Sequence, residues 1–89
     1  MTGDLIRVII ADDHSVVRAG LRAVLGSAKD IEVIGEARTG LEAVTMAERF
    51  KPDVVIMDLG MPDMDGAAAT KEIVAKGLEA RVLVLTMQS

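Results

Sequence analysis

The chain has 89 residues, enough for one small domain, and at this length only a little over ~60% of the unfolded surface is buried, so every apolar face is needed for the core. Hydrophobic residues make up 51% of it, mean hydropathy is +0.37, and Phe50 is the sole Phe, Tyr or Trp, so the core must be aliphatic. The absence of cysteine excludes a disulfide framework and a thiolate metal site, and a net charge of -4 argues against direct binding of a nucleic-acid backbone, which clustered Lys and Arg drive. No apolar run approaches the ~20 residues of a membrane span, and Met1-Thr2-Gly3-Asp4 has no signal-peptide pattern, so a soluble cytoplasmic protein without membrane contact is expected.

Ile6 to Ala11 holds the apolar run Val8-Ile9-Ile10 and ends in Asp12-Asp13, which reads as a buried strand surfacing at an acid pair. From Ser15 the spacing turns helical: Val17, Leu21, Val24 and Leu25 mark an inward face, with Arg18 and Arg22 on the other side. Gly26-Ser27 is expected to end this helix through a left-handed glycine. Ile31 to Ala37 alternates Ile31, Val33, Gly35 and Ala37 against Glu32, Ile34 and Glu36, the pattern of a more exposed edge strand.

Thr39 with Glu42 three residues on has the form of a capping box, and Leu41, Val44, Ala47 and Phe50 make one apolar stripe on the helix that follows. Pro52 keeps that helix from running into Val54-Val55-Ile56-Met57, a run with no polar interruption that ends at Asp58 and a loop containing Gly60, Met61 and Pro62. Asp65-Gly66 turns the chain into a helix over 67–76, with Ala69, Ile73 and Val74 inward and Lys76-Gly77 as its end. Val82 to Leu85 is a fourth buried-strand pattern, and Thr86 stands at its end. Strands alternating with helices over short connections specify right-handed crossovers and a parallel sheet covered on both faces.

Asp12, Asp13 and Asp58 thus stand at strand ends, the edge of an open parallel sheet where ligands collect. Neighbouring strands would bring the three carboxylates together, and confined like charges take up protons or bind a cation. Hard oxygen donors favour Mg2+ or Mn2+. A carboxylate beside such an ion can attack phosphorus to form an aspartyl phosphate, and Thr86 could offer its hydroxyl to a phosphoryl oxygen. His14 reads as an exposed first-turn residue rather than a ligand, and Asp63-Met64-Asp65-Gly66 as a turn and cap rather than a calcium loop, since Met61 stands where that loop needs its first acid.

Asp12-Asp13, then Met57-Asp58-Leu59-Gly60-Met61-Pro62 with Asp65-Gly66, then Leu85-Thr86 resemble the receiver domain of bacterial two-component response regulators. Ala11-Asp12-Asp13-His14 with Arg18 and Gly20, and Arg81 to Thr86, resemble more narrowly the NarL/FixJ-type, or LuxR-class, regulators. The resemblance implies a flavodoxin-like doubly wound sheet in strand order 2-1-3-4. It implies Asp58 as phosphoacceptor, Asp13, Asp58 and the Gly60 carbonyl as Mg2+ ligands, Asp12 as an acid reaching the metal through water, and Thr86 as the phosphoryl-sensing hydroxyl. A histidine kinase is the implied phosphodonor, and the implied role is that of a signalling module rather than an enzyme.

The resemblance also marks departures. The family's fifth strand, its last two helices and its phosphoryl-gripping lysine have no counterpart here, neither Lys71 nor Lys76 standing in the matching place, and Met87 follows Thr86 where the family often has a small residue. The chain therefore reads as a receiver fragment of about two-thirds, without a DNA-binding output domain. An uncovered fourth strand and uncovered sheet faces predict a homo-oligomer. Two alternatives stand beside this: a structural or dimerisation fragment that takes no phosphate, and a metal-dependent phosphohydrolase. The hydrolase would want an acid two residues after Asp58, where Gly60 stands.

Overall fold

The computed structural model describes residues 5–61 and 64–85, so the expectations that fall on Pro62, Asp63, Thr86 and Met87 lie outside the described residues. The described elements are β1 (Ile6–Ala11), α1 (Ser15–Gly26), β2 (Ile31–Ala37), α2 (Gly40–Phe50), β3 (Val54–Asp58), α3 (Gly66–Ala75) and β4 (Arg81–Leu85). All strand pairs are parallel, in the order β2-β1-β3-β4. This is the doubly wound arrangement expected, with the apolar runs of β1 and β3 at its centre.

Because side chains alternate along a strand, an uninterrupted apolar run feeds two cores at once. Ile9, Ala11, Val55 and Met57 face α2 and α3, where they pack with Ala43, Val44, Ala47, Ala69 and Ile73. Val8, Ile10 and Ile56 face the other way, against Leu21 and Leu25 of α1.

The inward helical faces differ from the sequence expectation. In α2 the buried residues are Gly40, Ala43, Val44 and Ala47, whereas Leu41 and Phe50 are exposed. Small residues at 40, 43 and 47 let α2 lie close to its neighbours, and a Cβ at Gly40 would collide with the Met64 carbonyl. Bulkier Leu41 is left at the flank. In α1 no residue is fully buried and Val24 is exposed, because among the described residues α1 covers its sheet face alone. Val74 also points outward, Ala69 and Ile73 alone giving α3 its inward apolar side chains.

Strand β2 is an edge, as expected, but its alternation does not run through. Val8 pairs with Val33 and Ile9 with Gly35, so Ile34 is an extra residue in a bulge that flips the remainder of the strand. Ile31 and Val33 consequently join the α1 side and Ala37 the α2 side. Strand β4 is less buried than its sequence pattern predicts: Leu83 and Val84 are 59% and 46% exposed, since among the described residues it has a strand on one side only.

Helix ends follow local chemistry with one exchange. Thr39 Oγ1 accepts from the Glu42 N–H at 3.0 Å while Glu42 Oε1 accepts from the Arg38 N–H at 2.8 Å, and Asp65 Oδ1 caps α3 through the Ala68 N–H. Gly77, at φ 70, ends α3 as expected, but Gly26 remains within α1. The other left-handed position among the described residues is Lys51, at φ 49, which turns the chain into Pro52.

Candidate functional site: an acidic pocket at the carboxyl edge of the sheet

Parallel pairing of β1 with β3 puts Ala11 opposite Met57, so the next residue on each strand, Asp12 and Asp58, emerges at the same edge. Both are buried, at 1% and 6% exposure, which for carboxylates requires a partner. Asp13 and His14 complete the group: one ligand atom from each of Asp12, Asp13, His14 and Asp58 lies within 4.8 Å of the others. The sequence expectation that Asp12, Asp13 and Asp58 meet is thus met in space.

His14 stands exposed at the start of α1, as expected, but it also touches the acids. It is the N-cap residue of α1 and 62% exposed, yet its Nδ1 lies 2.9 Å from Asp12 Oδ1 and 3.1 Å from Asp13 Oδ1. Its main-chain N–H donates to the same Asp12 Oδ1 at 2.7 Å. The hydrogen bond to Asp12 and the charge of Asp13 raise its pKa above the usual imidazole value. Asp12 Oδ2, by contrast, is buried with no hydrogen-bond partner among the described residues. Such an atom costs free energy unless something outside the described chain satisfies it. Clustered carboxylate oxygens together with that orphaned atom fit a hard divalent cation.

Gly60 lies two residues past Asp58 in an exposed bend, with open space where a side chain would project. Thr86 is outside the described residues. A cleft of about 680 Å³, lined by Lys51, Pro52 and Gly77 among others, opens at the starts of β3 and β4, the opposite edge of the sheet. It is remote from the acids.

Two residues at the site escaped the sequence reading. Gly66 is one: a Cβ there would collide with the Asp58 carbonyl, so the start of α3 presses directly on the backbone that carries the acid. Arg18 is the other. It was expected on the outer side of α1, but its side chain is 12% exposed and turns back to Asp12 and Glu36. The signal for Gly66 was its position after Asp65 at a loop-to-helix junction; for Arg18 there was none beyond its place in the motif.

Residues 8–89 match the family model of the response regulator receiver domain. The transcriptional regulatory protein YhcZ of Bacillus subtilis (strain 168) is 51% identical over 83 residues, 93% of this chain, which spans 39% of that protein's length. Among solved structures, the signal receiver domain of the response regulator NarL from Mycobacterium tuberculosis superposes with a TM-score of 0.93 at 32% identity, over 97% of this chain and 69% of that one. CheY of Borrelia burgdorferi, solved in a complex of CheX, CheY, BeF3 and Mg2+, superposes with a TM-score of 0.85 at 29% identity, over 91% of this chain and 61% of that one. Taken with the acids at the carboxyl edge of a 2-1-3-4 sheet, these matches establish that the chain belongs to the response regulator receiver family.

Proposed function

We propose that Asp58 accepts a phosphoryl group in a reaction that requires Mg2+ or Mn2+, making this segment the receiver of a two-component relay. The observation that carries the reading is a buried strand-end carboxylate flanked by two further acids, one of them with an orphaned buried oxygen. Asp13, Asp58 and the Gly60 carbonyl would hold the ion and Asp12 would reach it through water. The Mg2+ in the Borrelia burgdorferi CheX–CheY complex supports that choice of cation. Once bound, the cation offsets the negative charge of the phosphoryl oxygens.

A carboxylate oxygen of Asp58 attacks phosphorus, and the donor's bond to phosphorus breaks with its electron pair leaving on the donor. That donor is the phosphohistidine of a histidine kinase or a small acyl phosphate. The Thr86 hydroxyl then donates to a phosphoryl oxygen, biasing a surface that partners read. In a longer protein, as in the transcriptional regulator YhcZ, that surface would govern transcription. The segment itself acts in the cytoplasm as a switch without turnover, contacts neither DNA nor membrane, and associates with a second copy through β4, whose Leu83 and Val84 are exposed.

The test is incubation with acetyl phosphate and Mg2+ followed by intact-mass measurement. A gain of one phosphate, absent without Mg2+ and in Asp58→Asn, is expected. No gain in a protein that binds Mg2+ would favour the structural alternative, and many phosphates released per chain would favour the hydrolase.

A further inference from the structure

We infer that Arg18 is a positioning residue for the acid pocket, holding the Asp12-Asp13 segment in place from behind; the inference deepens the proposed reading and rests on it. Arg18 sits in the first turn of α1, where its main-chain N–H donates to the His14 carbonyl at 3.0 Å. Its guanidinium turns back along the helix, and one terminal N–H donates to the Asp12 carbonyl at 2.7 Å. Its Nε–H donates to Glu36 Oε1 of β2 at 3.0 Å, and Glu36 Oε2 takes Arg22 at 3.3 Å. The planar fork thereby ties the end of β1, the edge strand β2 and α1 at one point.

Asp12 is in consequence fixed at three atoms. Its N–H donates to the Ala37 carbonyl at 3.0 Å, its carbonyl accepts from Arg18, and its Oδ1 accepts from the His14 N–H. Among the described residues only His14 hydrogen-bonds the Asp12 side chain, so the direction in which its carboxylate points follows this backbone. Outer partners of this kind commonly shift metal affinity by about 10–100-fold when removed, because the ligand must then be ordered as the ion binds. Were Arg18 only a salt bridge joining α1 to β2, its removal would lower stability and leave affinity alone.

The experiment is a Mg2+ titration of the full chain, followed through backbone amide shifts in NMR, beside thermal melts without metal and phosphorylation by acetyl phosphate at saturating Mg2+. Arg18→Met, which keeps the aliphatic stem, is expected to raise the half-saturating Mg2+ concentration about tenfold while the rate at saturation returns near the parent's. Arg18→Lys is expected to keep most of the defect, since one ammonium cannot replace a fork that reaches Asp12 and Glu36 together. Glu36→Gln, which loosens one arm, is expected to give a smaller shift in the same direction and decides the matter if Arg18→Met does not fold. Unchanged half-saturation in folded variants, or full recovery with Lys, overturns the inference. Failure of the parent to take phosphate while it binds Mg2+ sinks the proposed function and leaves the metal titration to judge Arg18.

Discussion

Ala11 and Met57 lie opposite each other in neighbouring parallel strands, and the residue after each is a buried aspartate. The pocket is therefore a product of register. Its cost is electrostatic, because carboxylates that repel are held within a few ångströms by strands whose apolar side chains have nowhere else to go.

That cost predicts stabilisation by the cation. At Mg2+ about 100 times its dissociation constant the folded state should gain about 2.7 kcal/mol, several degrees in melting temperature for a domain of this size. Asp13→Asn and Asp58→Asn should each lose most of that gain while melting no lower than the parent in chelator. Equal Mg2+-induced shifts in all three proteins would refute the assignment of the metal ligands.

Gly66→Ala and Gly20→Ala should act in opposite directions. A Cβ at 66 meets the Asp58 carbonyl and the Leu59 backbone, so Gly66→Ala should lose about 1–3 kcal/mol in urea unfolding. Gly20 lies inside α1 with open space around it, and Gly20→Ala should gain about 0.5–1 kcal/mol. Stabilisation by Ala at 66 would contradict the close approach of α3 to β3.

Neighbouring residues of α3 should separate as sharply. Ile73 is fully buried, and Ile73→Ala should cost about 2–5 kcal/mol, whereas Val74, at 69% exposure, should change by no more than about 0.5 kcal/mol when replaced by Ala. Comparable losses at both positions would mean that α3 is rotated from the orientation described.

Self-association should respond to β4. If copies pair through β4 as proposed, Leu83→Lys, which puts a charge at an exposed position of that strand, should shift the weight-average mass seen in light scattering from dimer toward monomer. Val24→Lys, at a somewhat more exposed position on α1, serves as the control and should leave the mass unchanged. If both substitutions dissociate the dimer, or neither does, pairing through β4 is not its basis.

The elements were legible because apolar runs, Gly and Pro punctuate this chain clearly, and the convergence of Asp12, Asp13 and Asp58 followed from strand ends once β1 and β3 were taken as neighbours, the order that the family resemblance implied. The inward faces of the helices were harder to read. In α2 the burial of Gly40 and Ala43 in place of Leu41 and Phe50 reflects how closely the helix approaches its neighbours, which hydrophobicity does not encode. The bulge at Ile34 broke a period-two pattern that looked continuous, and Arg18 was drawn inward by Glu36, a partner 18 residues away. Side chains that answer to distant partners leave no mark in a local pattern.

The bulge also makes the sheet's two borders unequal. On β2 the extra Ile34 distorts the ladder and Glu32 and Glu36 place negative charge along the strand, whereas β4 keeps an unbroken register with β3 from Val54↔Arg81 to Asp58↔Leu85 and carries no acid. Among the described residues, β4 is thus the border better suited to template another strand. In the proposed pairing through β4, no matching border among the described residues is left for a third copy, so growth would end at a closed pair instead of continuing into a fibre.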